Sequence, residues 1–433
     1  MSSATHYANI VLGGGTAAGY VARAFAQAGA TNASNLAIVS REAVLPYERP
    51  ALSKGFLNKT QPARLPGFHT SVGDGGDRQD AEWYKTHNID FLGKSNVTQV
   101  DVQDRALTLE GGQRLTYDKL IVATGADPIR PNLGDRPGDI HYFRSIVDAE
   151  NLVETMKKFE GRSARAIVIG GGYIGTEVGA QLLNNGIKVS FVFPEDRLMA
   201  RIFTPRLANM YRETFESKGA ELVHGMANKV VYGDNNEIRG LELKDGTVVS
   251  GDLIVAGIGA RPVVELFKDQ LDMEAGGLKV SEHLQTSDPN IYAIGDVAAY
   301  PLKLEGGKYQ RQEHVVNARR SAEHVVAELT GQSKGGYDYL PYFYSRIFDF
   351  NWKLYGINEG DVVHFGHFEE GKQYGAIWIR DGQVVGILAE KPTDEQVSRM
   401  QEVARSRPAA KGEDNVRSFV QGIFGSDIPV HFD

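Results

Sequence analysis

The 433-residue chain contains no cysteine. That absence excludes disulfides, thiolate metal sites and iron–sulfur clusters. It also excludes a redox-active cysteine pair and a peroxide-reducing sulfenic acid. No apolar run approaches the roughly 20 residues that span a bilayer, so no membrane attachment is expected. There is no long basic run, and the formal net charge is −8, which argues against nucleic acid as a partner. Short repeats and low-complexity segments are absent. The first strand signal begins near Ala8 and the C-terminal tripeptide matches no targeting signal, so no leader or targeting segment is expected. A cytoplasmic location is therefore expected.

A chain of this length is too long for one ordinary core and predicts two or three domains. Its strongest signal is a glycine motif that occurs twice. Gly13-x-Gly15-x-x-Ala18 follows the apolar run Ala8-Asn-Ile-Val-Leu12, and Gly170-x-Gly172-x-x-Gly175 follows Ala166-Ile-Val-Ile169. Each sits between a predicted strand and a predicted helix, the setting in which backbone N–H groups cradle a pyrophosphate. Two copies predict two dinucleotides, and the economical pairing is a flavin with a nicotinamide. Without cysteine, electrons leaving the flavin must pass straight to an external acceptor.

The motif expects a ribose-binding acid near the end of the second strand. After the first copy, Glu42 is the best placed; after the second, Phe193 occupies the usual position and Glu195 follows it. An acid there repels a 2′-phosphate and favours NADH over NADPH, whereas Arg197 could receive that phosphate. The run Ile291-Tyr-Ala-Ile-Gly-Asp296 puts a carboxylate, Asp296, at the end of a buried strand, where it can accept hydrogen bonds from a ribityl chain.

Further strands are expected at 97–101, 105–109, 118–123, 229–232, 238–243 and 252–256, and a helix at 315–329. From Tyr337 the texture becomes aromatic and strand-like to about residue 389, with a hairpin turn at Asp381-Gly382. The fold class is thus α/β, with two Rossmann-like dinucleotide-binding domains and a smaller α+β C-terminal domain carrying an antiparallel sheet. The expected limits are 1–125 with 250–325 for FAD, 126–249 for NAD, and 326–433 for the C-terminal domain.

The order GxGxxA, Ala123-Thr-Gly125, GxGxxG, Ala256-Gly-Ile-Gly-Ala-Arg-Pro262 and Tyr292-Ala-Ile-Gly-Asp296 resembles the flavoprotein pyridine nucleotide oxidoreductases over about the first 320 residues. Leu45-Pro-Tyr-Glu-Arg-Pro-Ala-Leu-Ser-Lys54 narrows this to the branch with ferredoxin reductases and monodehydroascorbate reductases. Three segments resemble the plant-type monodehydroascorbate reductases: Leu65-Pro-Gly-Phe-His-Thr70, Glu313-His-Val-Val-Asn-Ala-Arg319, and Tyr337-Asp-Tyr-Leu-Pro-Tyr-Phe-Tyr-Ser-Arg346. Members of that family usually carry a cysteine after His-Thr; here the residue is Ser71.

The resemblance implies that NADH reduces FAD and that the reduced flavin reduces two monodehydroascorbate radicals to ascorbate in one-electron steps. It assigns Arg319 and Tyr344 to the substrate. It assigns Gly13, Gly15, Ala18, Glu42, Arg49, Lys54, Asp296 and His314 to FAD. Gly170, Gly172, Tyr173, Ile174, Gly175, Glu195, Arg201 and Gly259 fall to the NAD site. The bland alternatives are an exposed helix cation for Arg319, core packing for Tyr344, a structural role for His314 at a strand–helix junction and a Glu48–Lys54 surface pair. A monomer or weak dimer is expected. A ferredoxin or rubredoxin reductase is the nearest rival, and a signalling flavoprotein a more distant one.

Overall fold

The computed structural model describes residues 4–31, 35–70 and 77–432. Ser71 and the first residues of the 74–80 loop lie outside them. Two compact units emerge, each assembled from three stretches of chain. The first comprises Met1–Ala51, Ala63–Asp127 and Ala260–Tyr339; the second comprises Leu52–Pro62, Pro128–Gly259 and Leu340–Asp433.

In the first unit, β1 (Thr5–Leu12), α1 (Thr16–Gln27) and β2 (Leu36–Val39) form a β-α-β element with parallel pairing. β3 (Ile89–Leu92) extends the sheet beyond β2. On the other side β1 pairs with β6 (Arg114–Val122), whose far neighbours β5 (Ala106–Leu109) and β4 (Val97–Asp101) run antiparallel. The strand Ile291–Ala293 also lies parallel to β6. Ile10, Val11, Ile38, Leu120 and Ile121 are almost fully buried. These strands read as continuous apolar runs because helices or loops cover both faces, as parallel sheets require.

The second unit repeats the plan. β7 (Arg165–Ile169), α2 (Tyr173–Asn184) and β8 (Lys188–Phe193) form its β-α-β element, extended by β9 (Glu221–His224) and, beyond β7, by β10 (Leu253–Ala256). The boundary expected at residue 249/250 therefore falls later, at 259/260, because β10 completes this sheet beside β7. Residues 340–433 contribute a six-stranded antiparallel sheet that includes β11 (Tyr342–Ile347), β12 (Phe350–Gly356), β13 (Tyr374–Arg380) and β14 (Gln383–Glu390). Its hairpin turn has φ of 54° at Asp381 and 70° at Gly382, the left-handed pair that a two-residue turn demands.

The aromatic strands begin at Tyr342, not at Tyr337 as the composition indicated. Tyr337 and Tyr339 belong to the first unit, where both are buried. Tyr337 packs edge-on against Tyr300 at 5.0 Å and donates to Asn317 Oδ1 at 2.8 Å. Tertiary packing, not strand pairing, accounts for these aromatics.

The candidate dinucleotide and substrate sites

The glycines of the first motif are held by close contacts. Gly13 has φ of 124°, and a Cβ there would lie 2.2 Å from Ala123 O. Only glycine satisfies both demands, and the contact explains why Ala123-Thr-Gly125 accompanies the motif. Ala18 is fully buried within α1, where a small residue suffices. At Gly15, the N-cap of α1, a Cβ would stand 3.4 Å from Arg49 Nε, so the Arg49 guanidinium lies beside the start of the helix.

In the second motif, Gly170 has φ of 111°, with its Cβ position 2.4 Å from Gly257 O. Gly175 is closed off by Gly170 O at 2.2 Å. Gly172, the N-cap of α2, has nothing within 4 Å of its Cβ position. Its openness fits a ligand's close approach rather than a packing need.

These two helices differ from the rest. Neither α1 nor α2 has a side-chain cap or an acidic residue in its first turn. Every other described α-helix has one or the other: Asp80, Ser145, Thr204, His314 and Thr393 cap five of them, and Glu413 and Asp414 open the sixth. A helix start leaves four N–H groups to satisfy and carries positive partial charge. Two such starts, each opening a glycine turn, fit the pyrophosphates of two dinucleotides.

Around the first start, Glu42 takes a hydrogen bond from Tyr47 Oη at 2.7 Å and pairs with Arg49. Arg49 also donates to Tyr47 Oη at 3.0 Å. Burial works against the Arg49 charge, but Tyr47, Glu42 and Asp296 outweigh it and raise the guanidinium above its usual pKa. Gly295, with φ of 67°, lies 3.7 Å from Ala17 Cβ through its Cβ position, which brings Asp296 to the head of α1. His314 caps the Val315–Leu329 helix by accepting from Val316 N through Nδ1 at 3.3 Å. In the neutral ring that leaves the proton on Nε2, a donor.

Glu48 does not pair with Lys54. Its Oε2 lies 3.0 Å from Arg319 Nη2, and its Oε1 accepts from Tyr20 Oη at 3.0 Å. The Arg319 guanidinium also stands 5.2 Å above the Tyr20 ring. The neighbouring Arg320 reaches outward to Glu323 with its side chain 66% exposed, against 16% for Arg319. The exposed-cation alternative thus describes Arg320.

In the second unit, Lys54 pairs with Glu177 of α2 at 2.6 Å. Glu177 is buried and also accepts from Ser53 Oγ and, at 2.8 Å, from Ser345 Oγ. Sequence reading missed Glu177, because nothing local marks a helix carboxylate whose partners come from distant segments. Asn185 Nδ2 donates to Leu57 O at 3.0 Å, tying the Leu52–Pro62 segment to the other end of α2. On β11, Tyr344 stacks on Tyr342 at 5.5 Å, while Phe343 and Ser345 face the other way, Phe343 meeting Tyr173 edge-on at 5.2 Å. Tyr344 is half-buried.

Glu195 and Arg201 are exposed, Glu195 two residues past β8. Phe193 is buried, with its ring 3.1 Å from the Cβ position of Gly171, so packing beneath the glycine turn displaces the expected acid. Arg197 is held by Asp196, at 2.6 and 2.8 Å, and by Phe203 O at 3.0 Å. Ile174 and Tyr173 open α2, and Gly259 has φ of 109° where Ile129 N bonds its carbonyl at 3.0 Å.

Residues 7–322 match the pyridine nucleotide-disulphide oxidoreductase family, and residues 340–423 the monodehydroascorbate reductase 3-like C-terminal domain. The chain is 43% identical to the peroxisomal monodehydroascorbate reductase 4 of Arabidopsis thaliana over 92% of its own length and 82% of that relative's. It is also 43% identical to the seedling isozyme of Cucumis sativus, covering 94% and 95% of the two chains. A solved putidaredoxin reductase–putidaredoxin complex superposes with a TM-score of 0.84 at 24% identity, over 96% of each chain, and so shares the fold. With two glycine-motif units in sequence order and relatives matched along nearly its whole length, the chain belongs to the monodehydroascorbate reductases of the pyridine nucleotide-disulphide oxidoreductase family.

Proposed function

We propose that this protein binds FAD, takes reducing equivalents from NADH in preference to NADPH, and reduces monodehydroascorbate radicals to ascorbate. The observation that carries the reading is the pair of uncapped helix starts in a chain without cysteine. It calls for two dinucleotides and no thiol relay. The matched C-terminal domain adds the acceptor. When bound, FAD supplies the exchange between a two-electron hydride donor and a one-electron acceptor.

The protein's own residues bind and orient. The N–H groups at the head of α1, with Arg49 beside them, receive the flavin pyrophosphate. With FAD bound, Asp296 would accept from the ribityl hydroxyls, Glu42 would serve the adenosine ribose, and His314 Nε2–H would donate to the flavin's pyrimidine edge. The resemblance also assigns Lys54 to the flavin, and its charge is balanced by Glu177.

In the second unit, the head of α2 receives the nicotinamide dinucleotide, and Glu195 accepts from its ribose hydroxyls. The hold of Asp196 on Arg197 supports the preference for NADH, since that cation is engaged. Arg319, fixed by Glu48 and Tyr20, offers its donor fork to the enolate oxygens of the substrate. Tyr344 is the other residue that the resemblance assigns to the substrate, for which it would be a hydroxyl donor. A cytoplasmic monomer or weak dimer goes with this reading, and no described helix is long and apolar enough to cross a membrane.

NADH oxidation, measured with enzymatically generated ascorbate radical, with a small iron–sulfur protein, and with neither, tests the assignment. Turnover with the radical alone is expected. Turnover with the iron–sulfur protein alone would make the chain a ferredoxin-type reductase.

A further inference from the structure

The far end of the Val315–Leu329 helix carries a cluster that the proposed reaction leaves unused. His324 and Glu328 are four residues apart and so share a helix face. His283, from the turn after residue 281, meets them: its Nδ1 lies 2.8 Å from Glu328 Oε1. His324 Nε2 lies 3.4 Å from the same oxygen. The three donor atoms lie within 4.8 Å of one another.

Two details distinguish this cluster from an ordinary surface ion pair. His324 Nε2 is a buried nitrogen that makes no hydrogen bond among the described residues, its one polar approach being the 3.4 Å contact with Glu328 Oε1. Ser333 Oγ also donates to Glu328 Oε1, which orients the carboxylate. Metal-ligating imidazoles and carboxylates are oriented by such outer bonds.

We propose that His283, His324 and Glu328 form a binding site for one zinc-type divalent ion. Two imidazoles and a carboxylate are a zinc donor set, with bonds of about 2.0–2.1 Å and hence donor separations of roughly 3.3 Å. The separation of His324 from Glu328 already matches that value. The ion would replace the proton shared by His283 Nδ1 and Glu328 Oε1, opening that contact slightly. The His283 side chain is 46% exposed, which leaves an entry path and a fourth position for water. Nitrogen donors disfavour magnesium and calcium, and a chain without cysteine offers no thiolate to compete. The ion would pin the 281–284 turn to the helix and so act structurally, away from the residues assigned to substrate.

The FAD-loaded full chain, stripped with a chelator and dialysed against zinc, provides the test. Wild type is expected to retain one ion per chain more than His324→Ala or Glu328→Gln, and to show a zinc-dependent rise in unfolding temperature that both variants lose. Cobalt should give tetrahedral d–d absorption in wild type only. His283→Ala, altered at an exposed position, serves if the helix variants fold poorly. Equal zinc uptake by wild type and the variants, or an unfolding temperature indifferent to zinc, would overturn the proposal and leave His283 and Glu328 as a hydrogen-bonded pair.

Discussion

Ser345 and Glu177 are joined by a 2.8 Å hydrogen bond, and the other Glu177 oxygen lies 2.6 Å from Lys54. The strand that carries Tyr344 is thus tied to the lysine assigned to the flavin through one buried carboxylate. Glu177→Ala leaves the lysine without its counter-charge. Breaking a buried pair from one side costs about 3–5 kcal/mol, so denaturant unfolding should shift strongly. Ser345→Ala removes one hydrogen bond and should cost about 1 kcal/mol. Equal effects of the two substitutions would mean that the ion pair adds little.

Arg319→Ala should spare flavin reduction by NADH and impair the reaction with the ascorbate radical. Stopped-flow absorbance separates the two half-reactions. Arg319→Lys keeps the charge beside Glu48 but loses the planar fork, so it should fold better than the alanine variant and still react slowly. Loss confined to flavin reduction would remove Arg319 from the substrate site.

The two motifs differ in what their glycines are for. Gly13→Ala forces a Cβ to within 2.2 Å of Ala123 O at a φ of 124°, so folded, flavin-loaded protein should not accumulate. Gly172→Ala meets nothing within 4 Å. It should fold within about 1 kcal/mol of wild type, while coenzyme binding weakens by roughly tenfold. Thermal unfolding and coenzyme titration check both halves of the contrast.

Glu195→Ala should lower affinity for NADH more than it raises affinity for NADPH, since Arg197 stays bound to Asp196. Steady-state KM values for both coenzymes report this. An unchanged ratio would move the selectivity to another residue.

Burial pushes the Glu390 carboxyl from its ordinary 4.5 up to about 7, against a hydrogen bond from Asn351 N at 2.8 Å. Its Oε2 has no hydrogen-bond partner among the described residues. A raised acid pKa stabilises the fold fully below the unfolded value, and that contribution is lost as pH rises through the folded value. Stability should therefore decline between about pH 4.5 and 7 by about 3 kcal/mol from this group. Glu390→Gln should flatten that stretch of the stability–pH curve, measured by urea unfolding.

Both β-α-β elements were legible because their signals are local: an apolar run, a glycine turn, a helix. Gly13 and Gly170 announce themselves since no other residue accepts their backbone angles. Partners across the chain were not legible. Glu48 looked like the mate of nearby Lys54, whereas tertiary structure gives it Arg319 and gives Lys54 the distant Glu177. Arg319 and Arg320 are chemically identical neighbours, and only helix phase decides that one is buried. Tyr337 shares the aromatic texture of the strands after it, yet Asn317 and Tyr300 claim it for the other unit.

The grip of Asp196 and Phe203 O on Arg197 bears on how such a protein could change its coenzyme. A lineage drifting toward phosphorylated donors would have to lose an acid and release an arginine in separate steps. On the proposed reading, in which Glu195 binds the ribose, the first step alone discards that recognition without supplying a phosphate ligand. Selection would meet a valley between the two preferences, and descendants of this chain would tend to keep the donor they inherited.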